Sequence, residues 1–166
     1  MPKLIKPAQN YNQQIREFRK EFLESGDSMD GSGGLRHYED PADWMANLRD
    51  IEYLYVREED EKVVGLIQIR PGLNAYLEKF GGHIGYCVAP SERRKGYATQ
   101  MLHDILPLCK EMGIGKLLVT CIKGNEGSRQ TILKNGGVYE STVYEPDDGL
   151  EVERYWIDLD DGSGIG

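Results

Sequence analysis

The stretch that most constrains this chain runs from residue 83 to residue 112. Residues 83–88 (HIGYCV) read as a strand. Residues 96–112 read as a helix, with Ala98, Met101, Leu102, Ile105, Cys109 and Met112 at spacings of three and four. Between them, Arg93, Arg94, Lys95, Gly96, Tyr97 and Ala98 set two small residues where the backbone must bend and open a helix. A helix start leaves its first amides unpaired and carries partial positive charge. With Gly96 and Ala98 keeping side chains away, those amides can meet a phosphate directly. Arg93, Arg94 and Lys95 add charge at the rim. The stretch therefore predicts a strand–turn–helix unit suited to a pyrophosphate-bearing ligand. An ordinary strand-to-helix turn with a solvated basic patch is the plain alternative.

At 166 residues a single domain is expected, here residues 1–159, followed by a polar, Gly-rich, disordered tail over 160–166. The net charge of −8 argues against nucleic acid as a partner and favours a cationic substrate such as an amine. Cys87, Cys109 and Cys121 form no CxxC pair and read as reduced core thiols of a cytoplasmic protein. His37, His83 and His103 have no metal-ligand spacing with them, so no metal is expected. No stretch approaches a membrane span, and the first residues lack the apolar core of a signal peptide.

In chain order, residues 3–6 predict an edge strand stopped by Pro7. Tyr11, Ile15, Phe18 and Phe22 predict a helix over 10–25, ended by Gly26. The Gly- and Ser-rich residues 25–39 predict a mobile loop, and Asp40-Pro41 a capped helix start. Strands follow at 53–57 and 62–70 as a hairpin, and a short helix near Leu77 leads to Gly81-Gly82. After the opening unit, with Pro107 inside its helix, come a strand over 116–122 and an Asn125-capped helix to 135. Strands over 138–145 and 151–159 complete the order. The outcome is an α/β fold with a mixed sheet flanked by helices.

Arg93-x-x-Gly96-x-Ala98, with its strand, its helix and Val88-x-Pro90, resembles the acyl-CoA-binding motif of the GNAT acetyltransferases. The element order resembles that family over residues 4–159. The runs 81–86, 135–137 and 154–157 resemble a bacterial branch of it. The resemblance implies a GNAT fold and an N-acetyltransferase that passes an acetyl group from acetyl-CoA directly to an amine of a small molecule or peptide. A catalytically idle acyl-CoA sensor or scaffold is the alternative. The resemblance leaves a homodimer open.

The resemblance also assigns roles. The Val88 backbone lies beside the acyl carbonyl, with Cys87 flanking the pantetheine slot. Arg93, Arg94, Lys95, Gly96, Tyr97, Ala98 and Thr99 take the pyrophosphate, and Asn125 and Ser128 contact the pantetheine. His83, four residues before Cys87, is the expected base, since imidazole titrates near pH 6.5; a strand histidine fixed by a backbone hydrogen bond is its alternative. Arg70 and Asn74 shape the acceptor site. The family's thiolate-protonating tyrosine, seven residues after the capping asparagine, is Ile132 in this chain.

Overall fold

The computed structural model describes residues 1–160; the expected disordered tail lies, but for Asp160, outside the described residues. The chain divides into two compact units, Met1–Ile69 with Gly85–Met101, and Arg70–Ile84 with the chain from Leu102 on.

The first unit is built on a sheet of order β1-β2-β3-β4. Its strands are β1 (Pro2–Ile5), β2 (Ile51–Arg57), β3 (Val63–Ile69) and β4 (Ile84–Val88). β1 pairs antiparallel with β2, and β2 with β3 as the hairpin expected from the sequence. The helix α1 (Asn12–Ser25) buries Ile15, Phe18 and Phe22, and the Gly26 amide closes it on Phe22 O at φ +75°. The residues between α1 and α2 (Pro41–Ala46) are not the loose loop their composition predicts. Met29, Ser32 and Leu35 are buried, Trp44 Nε1 donates to Ser32 O at 2.8 Å, and Arg19 donates to the Leu35 and Arg36 carbonyls. Two apolar anchors in a polar segment suffice to hold it on the core. Asp40 caps α2 by accepting from Ala42 N at 3.0 Å, with Pro41 at the first helical position.

The second unit holds a sheet of order β5-β7-β6, from β5 (Lys116–Ile122), β6 (Val138–Glu145) and β7 (Leu150–Asp158). Both of its pairings are antiparallel, with a register shift between Tyr139 and Ser141. The helix α3 (Tyr97–Glu111) starts in the first unit and continues in the second, carrying Pro107 in its interior. The helix α4 (Glu126–Lys134) is capped by Asn125, whose side-chain oxygen accepts from Ser128 N. The α/β class stands as expected, with the strands in two sheets in which β1 with β2, β2 with β3, β5 with β7 and β6 with β7 pair antiparallel.

Candidate active site

In the first unit, β4 ends in Ala89 and a short turn, Pro90–Glu92, that leads to the mouth of α3. Gln100 N donates to Gly96 O at 3.1 Å, so the helix opens at Gly96 and its first amides have no partner within the helix. Gly96 sits at φ +83°, and a Cβ placed there would meet nothing within 4 Å. Glycine is needed for its backbone conformation, and the space beside it is open. Arg94 adopts φ +64°, a conformation that favours glycine.

This loop is pinned from below by a residue the sequence reading did not single out. Glu92 is only 5% exposed and receives hydrogen bonds from Arg57 Nη1 (2.7 Å), Lys62 Nζ (2.9 Å) and Lys95 Nζ (2.8 Å). Burial alone would raise its carboxyl, but the bonds from Lys95, Lys62 and Arg57 outweigh burial and hold it at about 2. Arg57 also donates to the Tyr97 hydroxyl at 3.2 Å, and Glu21 accepts from Ser91 N. The three rim cations therefore differ. Lys95 belongs to the Glu92 cluster, and Arg93 pairs with Asp27 at 2.6 Å while lying over the Phe22 ring. Arg94 is exposed and makes no ion pair among the described residues. A carboxylate immediately before an Arg-Arg-Lys run was the available signal for Glu92.

Cys87, Val88 and Ala89 are buried. Burial pushes the Cys87 thiol up, and the charges of Glu52 and Asp30 push the same way, so it carries no thiolate for nucleophilic attack. The α1–α2 segment, with Asn47, Arg49, Asp50 and Gln68, lines an open cleft of about 590 Å³ that the sequence did not announce. Asp50 accepts from Gln68 at 3.0 Å on its wall.

In the second unit, His83 is half-buried. Its backbone N–H donates to Leu118 O (2.8 Å), and Leu118 N–H donates to its ring Nδ1 (2.9 Å). Burial lowers the ring's proton affinity. A base needs a free lone pair, and in this arrangement the one at Nδ1 is engaged. Arg70 and Asn74, expected at the acceptor, hold the adjoining turn. Arg70 Nη1 donates to the Gly81 and Gly82 carbonyls at 3.2 Å each, and Asn74 Oδ1 accepts from Leu77 N at 2.8 Å. Ile132 is fully buried. Tyr155 on β7, also buried, donates to Glu153 at 3.0 Å and is pushed up to about 12, by burial first and then by Glu153. Cys121 is pushed up to about 11 by burial and Glu153. Among the described residues, no group of three or more His, Cys, Asp or Glu is placed to hold a metal, and no helix is long and apolar enough to cross a membrane.

The profile of the acetyltransferase (GNAT) family matches residues 12–136. Among solved structures, the chain is similar to the ribosomal-protein-S5-alanine acetyltransferase of Vibrio fischeri, at TM-score 0.74 and 15% identity over 96% of this chain and 93% of that one. It is also similar to a ribosomal L7/L12 alpha-N-protein acetyltransferase in complex with coenzyme A (TM-score 0.69, 15% identity, 95% and 93% covered). A third is the microcin C7 self-immunity acetyltransferase in complex with acetyl-CoA and AMP (TM-score 0.67, 17% identity, 93% and 91% covered). At these identities the likeness is one of fold. A comparison with curated protein sequences finds no match. With the strand–turn–helix loop, the element order and the profile in agreement, the chain belongs to the GNAT acetyltransferase family, enzymes that move an acetyl group from acetyl-CoA to an amine.

Proposed function

We propose that residues 1–159 act as a single catalytic domain that transfers acetyl from acetyl-CoA directly to a primary amine of a small molecule or peptide. The observation that carries this reading is the loop at the mouth of α3. There Glu92 fixes the turn, Gly96 opens the helix with open space where a side chain would stand, and the first amides of α3 follow it. Those amides, with Arg94, suit the pyrophosphate. Cys87 and Val88 on β4 flank the acyl end, and Asn125 and Ser128 meet the pantetheine in this reading. Arg93, Lys95, Tyr97, Ala98 and Thr99 shape the loop, while Arg70 and Asn74 serve the acceptor by holding the turn of residues 74–82.

In the reaction the neutral amine nitrogen attacks the thioester carbonyl, the C–N bond forms and the C–S bond breaks; the nitrogen then sheds one proton to solvent, and the departing thiolate takes one up. An ammonium acceptor first gives its proton to water, so one proton is released per turnover. The buried, protonated Cys87 supports direct transfer over an acyl-cysteine intermediate. The net charge of −8 supports a cationic acceptor. The free cysteines support a reducing, cytoplasmic setting. Exposed Val138, Tyr139 and Tyr144 on the edge strand β6 support a homodimer through that strand.

The test is an acceptor screen of amines and peptides with acetyl-CoA, following CoA release. Acceptor-dependent release is the expected result. Tight acetyl-CoA binding with no turnover across the panel would leave only an acyl-CoA sensor.

A further inference from the structure

His83 and Leu118 form a reciprocal pair. The His83 backbone N–H donates to Leu118 O at 2.8 Å, and the Leu118 N–H returns to His83 Nδ1 at 2.9 Å. β5 pairs with β7 along its length, from Lys116↔Asp158 to Ile122↔Val152, and lies at an edge of its three-stranded sheet. On the opposite edge of β5, among the described residues, lies one isolated bridge, Gly82↔Val119. Gly82 permits that approach, because a Cβ there would lie 2.5 Å from Leu118 O. Where a second strand would offer a carbonyl to the Leu118 N–H, an imidazole nitrogen receives it.

A ring nitrogen that accepts from an N–H cannot itself bear a hydrogen, so the neutral ring carries its proton on Nε2. Protonating the ring would set a second hydrogen on Nδ1, opposed to the Leu118 N–H, and break the pair. Taking up a proton and holding β5 are mutually exclusive for this side chain. We propose that His83 is a positioning residue, a neutral imidazole that closes the edge of β5 at Leu118 and keeps Nε2–H as its one remaining donor, and that the proton of the attacking amine leaves by another route. Burial favours the same neutral state, with no charged side chain contributing. The turn carries Arg70, Glu78 and Lys79, and β5 carries Lys116 and Cys121. The Arg70 guanidinium is engaged by the Gly81 and Gly82 carbonyls, and Cys121 is held protonated.

Two readouts test this. In long-range ¹⁵N–¹H spectra of the parent chain, with His83→Asn supplying the assignment among three histidines, the His83 ring should show unprotonated Nδ1 and protonated Nε2 at pH 7. His83→Asn places a side-chain oxygen where Nδ1 stands, keeping an acceptor that cannot titrate. Its acidic limb of kcat/KM should overlay the parent's, and its Leu118 amide should exchange as slowly. In His83→Ala that amide should exchange at least about tenfold faster. A ring protonated on Nδ1, or an acidic limb that vanishes in His83→Asn, would overturn the assignment and make His83 the base. The kinetic arm rests on the acetyl-CoA reading. The spectrum needs no ligand, so failure of that reading and failure of this one are separate results.

Discussion

The loop of residues 90–100 in the first unit and the polar residues His83, Asn125, Arg70 and Asn74 of the second were both expected to supply functional side chains, and they use them differently. In the loop, Gly96 leaves open space at the helix start while buried Glu92 gathers Arg57, Lys62 and Lys95 to fix the backbone in place. Around His83, the polar groups themselves are bonded to the fold. His83 receives Leu118 N–H, Asn125 receives Ser128 N–H, and Arg70 and Asn74 hold one turn. The contrast teaches that a donor site made of backbone, as proposed for the loop, needs anchored neighbours more than free side chains. A proton-transfer site needs a free lone pair, and the His83 Nδ1 lone pair receives Leu118 N–H.

The contrast can be broken most sharply at Gly96. Gly96→Glu puts a side chain at φ +83° and a negative charge at the helix mouth. Acetyl-CoA affinity measured by calorimetry should fall about 100-fold or more, the scale of several lost charge-assisted bonds. Undiminished affinity would remove the loop from the donor site.

Glu92→Gln comes next. Removing the carboxylate leaves three cations around a neutral amide, and stability in urea should drop by about 3 kcal/mol, the usual cost of breaking a buried pair. The pH dependence carries its own sign. The Glu92 carboxyl sits at about 2 in the folded chain against an ordinary 4.5. Its contribution is therefore full above 4.5 and is lost as pH falls towards 2. The parent should lose stability more steeply than Glu92→Gln across that window. Parallel curves would mean that Glu92 does not anchor the loop.

Much of this architecture was legible in the sequence because its signals are local. Ile15, Phe18 and Phe22 mark one face of α1, Asp40-Pro41 opens α2, and β5 and β6 fall on the residues that an apolar run and an alternating pattern predicted. The loop proposed for the pyrophosphate was legible for the same reason, since its glycine, strand and helix are contiguous. What was hidden depends on pairs far apart in the chain. Glu92 meets Arg57 and Lys62 across some thirty residues, and Leu118 meets His83 across 35. No periodicity announces either. The packed α1–α2 segment was hidden differently, because its Gly- and Ser-rich composition masks the anchors Met29 and Leu35.

Smaller effects sharpen the comparison. Arg94→Gly relieves an L side chain of a left-handed backbone, at the cost of a more flexible unfolded chain, and should raise stability by about 0.5 kcal/mol. The same change removes the one loop cation without an ion pair among the described residues, so acetyl-CoA should bind several-fold more weakly and with less salt dependence. Unchanged affinity would leave recognition to the amides alone. Asn125→Asp retains a good helix cap, so its melting temperature should stay near the parent's. A rise in KM for acetyl-CoA at constant stability would mark the amide donor as a pantetheine contact; an unchanged KM would mark Asn125 as a cap only.

The central claim is that the mouth of α3 recognises a pyrophosphate. It is tested most directly by calorimetric titration of the parent chain with acetyl-CoA and with S-acetylpantetheine, which carries the same thioester without the phosphates. Binding of acetyl-CoA at least about 100-fold tighter than S-acetylpantetheine is the predicted result. Equal affinity for the two would contradict it.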